Sequence, residues 1–167
     1  MTHIFTIGYE GANIDDFIKT LRCMGVNTLL DVREIPISRK KGFSKTRLRE
    51  ELIRAGIYYR HEKMLGSPKP VRDKLKISGD YTLFFREFDR HLKQQDDLLE
   101  ILADDLQGSV ALMCYERNYQ ECHRSSVARA LGDLVGVEPK HIGVQGSEQR
   151  KAYKMSIQNS RKSISTA

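Results

Sequence analysis

Apolar and polar positions alternate in two rhythms along this chain. Short runs rich in β-branched and aromatic residues recur at HIFTIGY (3–9), VNTLLDVR (26–33), IYYRH (57–61), SVALMCY (109–115) and KHIGV (140–144). Such runs predict strands, and the almost unbroken apolarity of the fourth predicts burial on both faces. Between them the spacing changes to that of helices. In NIDDFIKTLRCMG (13–25), Asn13 can cap, Asp16 suits the first turn, Ile14, Phe17, Ile18 and Leu21 share a face, and Gly25 ends the segment. Ser44 is placed to cap a second helix through Ala55, with Leu48 and Leu52 on its apolar face. YTLFFREFDRHLK (81–93) turns Phe85, Phe88 and Leu92 inward, and DDLLEILADDL (96–106) and SSVARALGDLVG (125–136) complete the helical set. The stretch 62–80, with two prolines and two glycines, is expected to be irregular.

Strands alternating with helices predict an α/β three-layer sandwich. Its mostly parallel sheet has about five strands and carries helices on both faces, because right-handed crossovers distribute them so. One domain is expected over residues 1–146 of the 167, followed by a basic, mobile tail over 147–167 that lacks an apolar face. No apolar run approaches the roughly 18 residues that span a bilayer, and no signal-peptide pattern opens the chain, so a soluble cytoplasmic protein without membrane contact is expected.

Charge sharpens this picture. The formal net charge is +6, and the tail holds five basic residues against Glu148. A second patch, SRKKGFSKTRLR (38–49), carries six basic residues and no acid. Two basic patches on a nearly balanced body point either to solubility or to phosphate-bearing partners, a small molecule or nucleic acid. Three cysteines, Cys23, Cys114 and Cys122, are too few for a disulfide scaffold, and with no C-x-x-C pair a structural zinc site is not expected.

The candidate chemistry lies at the ends of the strands, where ligands bind in parallel sheets. The first run ends in Tyr9 and Glu10, and the second in Asp31 and Arg33, followed by Ser38 and Arg39. The third ends in Arg60, His61 and Glu62. The fourth ends in Glu116, after which a loop delivers Cys122, His123, Arg124 and Ser125 at a helix start. Free N–H groups there and the Arg124 guanidinium would suit an anion. The same setting would lower the Cys122 thiol pKa and make it a candidate nucleophile. Glu10 and Glu116 could divide acid and base roles or hold a hydrated Mg²⁺, and His61 could serve as a base. Each residue also has a plain structural alternative as a cap or an ion-pair partner. Cys114, inside a strand, reads as core.

The motifs TIGYEG, DVREIPISRKKGF, LREELIRAGIYYRHEKMLG and LMCYERNYQECHR occur in order over residues 6 to about 144. In these the chain resembles members of domain-of-unknown-function family 488. The resemblance implies an α/β fold and a shared site, and it supplies no reaction. Tyr115 departs from the pattern, which often has a small residue there, and would narrow the cleft. LLDVRE and the later ALMC…RSSVARAL also resemble the rhodanese and cysteine-phosphatase group. That likeness implies a cysteine-dependent sulfurtransferase or phosphatase, although nine residues separate Cys114 from Arg124, more than the tight anion loop of that group uses. Three readings therefore stand: a phosphate-ligand cleft with hydrolytic or transfer chemistry, a cysteine-dependent transferase, and a non-catalytic nucleic-acid-binding module.

Overall fold

The computed structural model describes residues 1–164 and places them in one five-stranded sheet with helices on both faces. The strands are β1 (His3–Gly8), β2 (Thr28–Asp31), β3 (Tyr58–His61), β4 (Ser109–Cys114) and β5 (Lys140–Ile142). Their spatial order is β3-β2-β4-β1-β5, and every neighbouring pair is parallel. The helices are α1 (Ile14–Cys23), α2 (Lys45–Arg54), α3 (Lys69–Ser78), α4 (Tyr81–Lys93), α5 (Asp96–Asp105), α6 (Arg124–Val135) and α7 (Ser147–Ile164).

Side chains that alternate along a strand feed two separate cores. On β4, Val110 and Leu112 pack with Phe88 and Leu92 of α4, Leu99 and Leu102 of α5, and Val127, Ala128 and Leu131 of α6. Ala111 and Met113 face the other way, toward Phe17 and Leu21 of α1 and Leu48 and Leu52 of α2. β4 therefore buries both faces, which explains its continuous apolar run, whereas the edge strands β3 and β5 stay partly exposed. The chain leaves β1 and β2 through helices on one face. It leaves β3 and β4 through helices on the other. β1 and β4 are neighbours whose outgoing connections run to opposite faces, and a crevice opens above their carboxyl ends.

Local chemistry explains most element ends. The Asn13 side chain accepts from the Asp16 N–H at 2.8 Å and caps α1. Ser44 precedes α2 without capping it, because its hydroxyl donates to the Ser38 carbonyl and accepts from the Ser38 N–H, both at 3.0 Å. In α4 it is Phe84, not Phe85, that is buried with Phe88 and Leu92. Part of the segment expected to be irregular is helical. Pro70 sits in the first turn of α3, where its missing N–H costs nothing, and Gly79 ends the helix with φ of 64°.

The basic tail forms the helix α7 over its described length. Arg150 ties α7 to α1 through Asp16 at 2.9 Å. Residues 165–167 lie outside the described residues. Among the described residues no helix is long and apolar enough to cross a membrane.

Candidate functional site

A cleft of about 800 Å³ opens above the carboxyl ends of β1, β2 and β4. One wall is the loop after β2, with Glu34, Ile35, Ile37, Ser38, Arg39 and Lys40. A second wall comes from α3 and α4, with Arg72, Leu75, Lys76, Tyr81 and Phe84. Cys114, Glu116 and His123 line it from β4 and the loop that follows.

Beneath the cleft lies a buried ionic knot. Asp31 accepts from Arg33 Nε at 2.8 Å, from Arg33 Nη2 at 2.6 Å and from the Tyr59 hydroxyl at 2.7 Å. Arg33 Nη1 donates to the Tyr9 hydroxyl at 3.0 Å and to the Phe43 carbonyl at 2.8 Å. Burial opposes the charge on Arg33, but Asp31 and Tyr9 outweigh it and raise its pKa. Burial, with the adjacent Asp31 carboxylate, raises that of the Tyr59 hydroxyl. The Tyr9 ring stacks on Phe43 at 4.3 Å and lines the cleft. Asp31 and Arg33 thus spend most of their hydrogen-bonding capacity on each other and on the scaffold. Their first effect is to fix the wall that carries Ser38 and Arg39.

The loop from Tyr115 to His123 stays close to the sheet because β1 ends in a glycine. A Cβ at Gly8 would lie 1.8 Å from the Glu116 carbonyl oxygen. Arg124 is buried, and its guanidinium donates to the Glu116 carbonyl at 2.6 Å and the Arg117 carbonyl at 3.3 Å. Arg124 clasps the loop and is not among the residues lining the cleft. Ser125 donates its hydroxyl to the Cys122 carbonyl at 2.8 Å and faces a separate pocket.

Glu10 and Glu116 follow the ends of the neighbouring parallel strands β1 and β4. Glu10 accepts from the Arg117 N–H at 2.9 Å and lines a small neighbouring cavity, whereas Glu116 lines the main cleft. His61 lies off the cleft, with Nε2 against the Arg33 carbonyl at 2.8 Å and Nδ1 against Lys45 Nζ at 3.3 Å. Both ring nitrogens thus have polar neighbours.

The missed residue is Cys114. Its thiol donates to Glu116 Oε2 at 3.0 Å and lies 3.8 Å from His123 Nδ1. Cys122 Sγ lies 4.0 Å from the same nitrogen. Burial, together with neighbouring Cys114, pushes the Cys122 thiol well up, opposite to the lowering expected from a helix start. Burial also opposes ionisation of Glu116, yet its hydrogen bonds to Cys114 and to its own backbone, with the nearby charge of His123, hold it below the ordinary value. For His123, burial is outweighed by the Cys122 sulfur, the Val32 carbonyl and Glu116, which raise its pKa. Periodicity assigned Cys114 to the core, and it is indeed buried. Only its position as the last residue of β4 marked it for the strand-end rim. Ser67 and Arg72 were also missed. Ser67 lines the cleft, and its buried hydroxyl finds no hydrogen-bond partner among the described residues. Arg72 pairs with Glu34 at 2.6 Å across the cleft wall.

A parallel α/β sandwich with its polar residues gathered above the carboxyl ends of the strands belongs to a class that places ligands there. Within that class, the family profile described as "Domain of unknown function DUF488" matches residues 13–131, and the chain belongs to this family. No curated protein and no solved structure matches it.

Proposed function

We propose that the protein binds a phosphate-bearing ligand, a nucleotide or a nucleic-acid end, in the strand-end cleft and acts on it by hydrolysis or group transfer. The observation that carries this reading is the composition of the cleft from rim to floor. Arg39 and Lys40 stand on the rim without ion-pair partners among the described residues, beside exposed Ile37, Tyr81 and Tyr115. Cations next to aromatic and aliphatic faces suit a phosphate joined to a planar base. Ser67 adds a buried cleft-lining hydroxyl without a partner among the described residues. The floor supplies reactive groups, the Cys114 thiol, the Glu116 carboxylate and the His123 imidazole.

Titration with nucleoside monophosphates and a 5′-phosphorylated oligonucleotide, followed by NMR and calorimetry, tests the proposal. Shifts should concentrate at Tyr9, residues 38–40 and Tyr115, and Arg39→Ala with Lys40→Ala should weaken binding by about tenfold or more. Binding that leaves those signals unmoved refutes it.

The Cys114 thiol on the cleft floor favours a second reading, a cysteine-dependent sulfurtransferase or phosphatase. Arg124 facing loop carbonyls rather than the Cys114 sulfur weighs against a tight anion loop around that thiol. Alkylation of Cys114 separates this reading from a non-catalytic nucleic-acid-binding module. For the latter, binding would survive alkylation and depend on salt through the basic loop and tail. Two neighbouring free thiols suit a reducing, cytoplasmic setting.

A further inference from the structure

We propose that Cys114, Cys122 and His123 form a binding site for one thiophilic divalent metal ion, Zn²⁺ or a close analogue, with a coordination position open to the cleft. The site stands on side-chain geometry alone. Only the use of a metal-bound water on a phosphate-bearing substrate would rest on the ligand reading above.

The two sulfurs and His123 Nδ1 lie within 4.8 Å of one another, and all three residues are buried. A tetrahedral zinc centre, with metal–sulfur bonds of about 2.3 Å and metal–nitrogen bonds of about 2.0 Å, needs donors roughly 3.5–3.8 Å apart. The Nδ1 distances to the two sulfurs are 3.8 and 4.0 Å, so small side-chain adjustments suffice.

An independent feature is the far side of the imidazole. His123 Nε2 lies 2.8 Å from the Val32 carbonyl oxygen. A carbonyl only accepts, so Nε2 carries the hydrogen, and in the neutral imidazole that a metal binds the lone pair sits on Nδ1, facing the sulfurs. That outer hydrogen bond to a backbone carbonyl is how proteins orient a metal-ligating histidine. The ring is held further by Phe88, whose centroid lies 5.1 Å away.

Charge and access agree with this assignment. On binding, each thiol releases its proton to solvent, and two thiolates with a neutral imidazole balance a divalent cation. Cys114 and His123 line the cleft while Cys122 does not, so three protein ligands would leave the fourth position facing the ligand space. Glu116 reaches that same edge, with Oε2 3.0 Å from Cys114 Sγ. Three protein ligands, an open position and an adjacent carboxylate make up a hydrolytic zinc centre rather than a structural one. The C-x₇-C-H spacing falls outside the two-cysteine zinc motifs. The pairing depends on β4 and the start of α6 meeting above the sheet, and so the absence of C-x-x-C led away from it.

The test is metal binding by the full chain, reduced and purified without chelating resin. Elemental analysis should find about one zinc per chain, or the protein freed of metal should take up one Co²⁺. The cobalt form should show the thiolate charge-transfer band and the ligand-field absorption of a tetrahedral site. Cys114→Ser and Cys122→Ser should each weaken Co²⁺ binding by at least about tenfold, while Cys23→Ser should bind as the parent does. Any of three results overturns the site: reduced parent protein that binds neither Zn²⁺ nor Co²⁺ at micromolar concentration, a Cys122→Ser variant with unchanged Co²⁺ spectrum and affinity, or Cys114 and Cys122 found joined as a disulfide in freshly purified protein. None of these measurements involves phosphate or nucleotide, so the outcome is separate from that of the cleft ligand.

Discussion

Replacing Asp31 by Asn isolates the buried knot under the cleft. Asp31 is fully buried and receives bonds from two Arg33 guanidinium nitrogens, the Arg33 N–H and the Tyr59 hydroxyl. Asparagine keeps the shape but turns an amide toward donors that require an acceptor. It also leaves the Arg33 charge without its counter-ion at 5% exposure. Breaking one side of a buried, hydrogen-bonded pair costs about 3–5 kcal/mol, because the remaining charge stays desolvated. For a chain of this size each kcal/mol lowers Tm by about 2–4 °C, so a fall of roughly 6–20 °C is expected. Urea unfolding followed by circular dichroism gives the free energy directly. Adding Arg33→Met should recover part of the loss, because it removes the orphaned cation, and the double variant should be more stable than the sum of the single losses implies. A loss below about 1 kcal/mol for Asp31→Asn, or strict additivity with Arg33→Met, would refute the view that these residues act as one buried unit.

Gly8→Ala should displace the loop that carries Glu116, since its Cβ would collide with the Glu116 carbonyl. Unfolding should show a loss of about 1–3 kcal/mol, and the NMR signals of residues 115–117 should move. His141, stacked on Tyr119 and bonded to the Thr6 hydroxyl at 2.7 Å, has a pKa lowered by burial and then by Arg124. The unfolded chain therefore binds the proton first, so stability should fall as pH drops below about 6.5, and His141→Gln should flatten the Tm-versus-pH curve on that side. Arg150→Ala removes the ion pair with Asp16 and should move the urea midpoint only slightly, whereas a fall as large as that of Asp31→Asn would make α7 integral to the core.

Much of this protein was legible in its sequence. The five strands follow from runs of β-branched and aromatic residues, α1 from Asn13 and its apolar face, and the strand-end placement of Tyr9, Asp31, Arg33 and Glu116 from the alternation itself. Those features depend on residues within a turn or two of one another, and side-chain period reports them directly. What Asp31 and Arg33 do was not legible, because the Tyr9, Phe43 and Tyr59 groups that bind them come from three other segments. Nor was Arg124 as a clasp on the loop at Glu116 and Arg117, because a guanidinium at a helix start serves an anion or a carbonyl equally well. Tertiary structure alone set β1 against β4 and bound the Glu10 carboxylate to the Arg117 N–H. It also closed a loop from Cys114 back to Cys122 and His123 under the Val32 carbonyl. Sequence spacing measures distance along the chain. The chemistry of this site depends on distance through space, which packing of the two cores against the sheet decides.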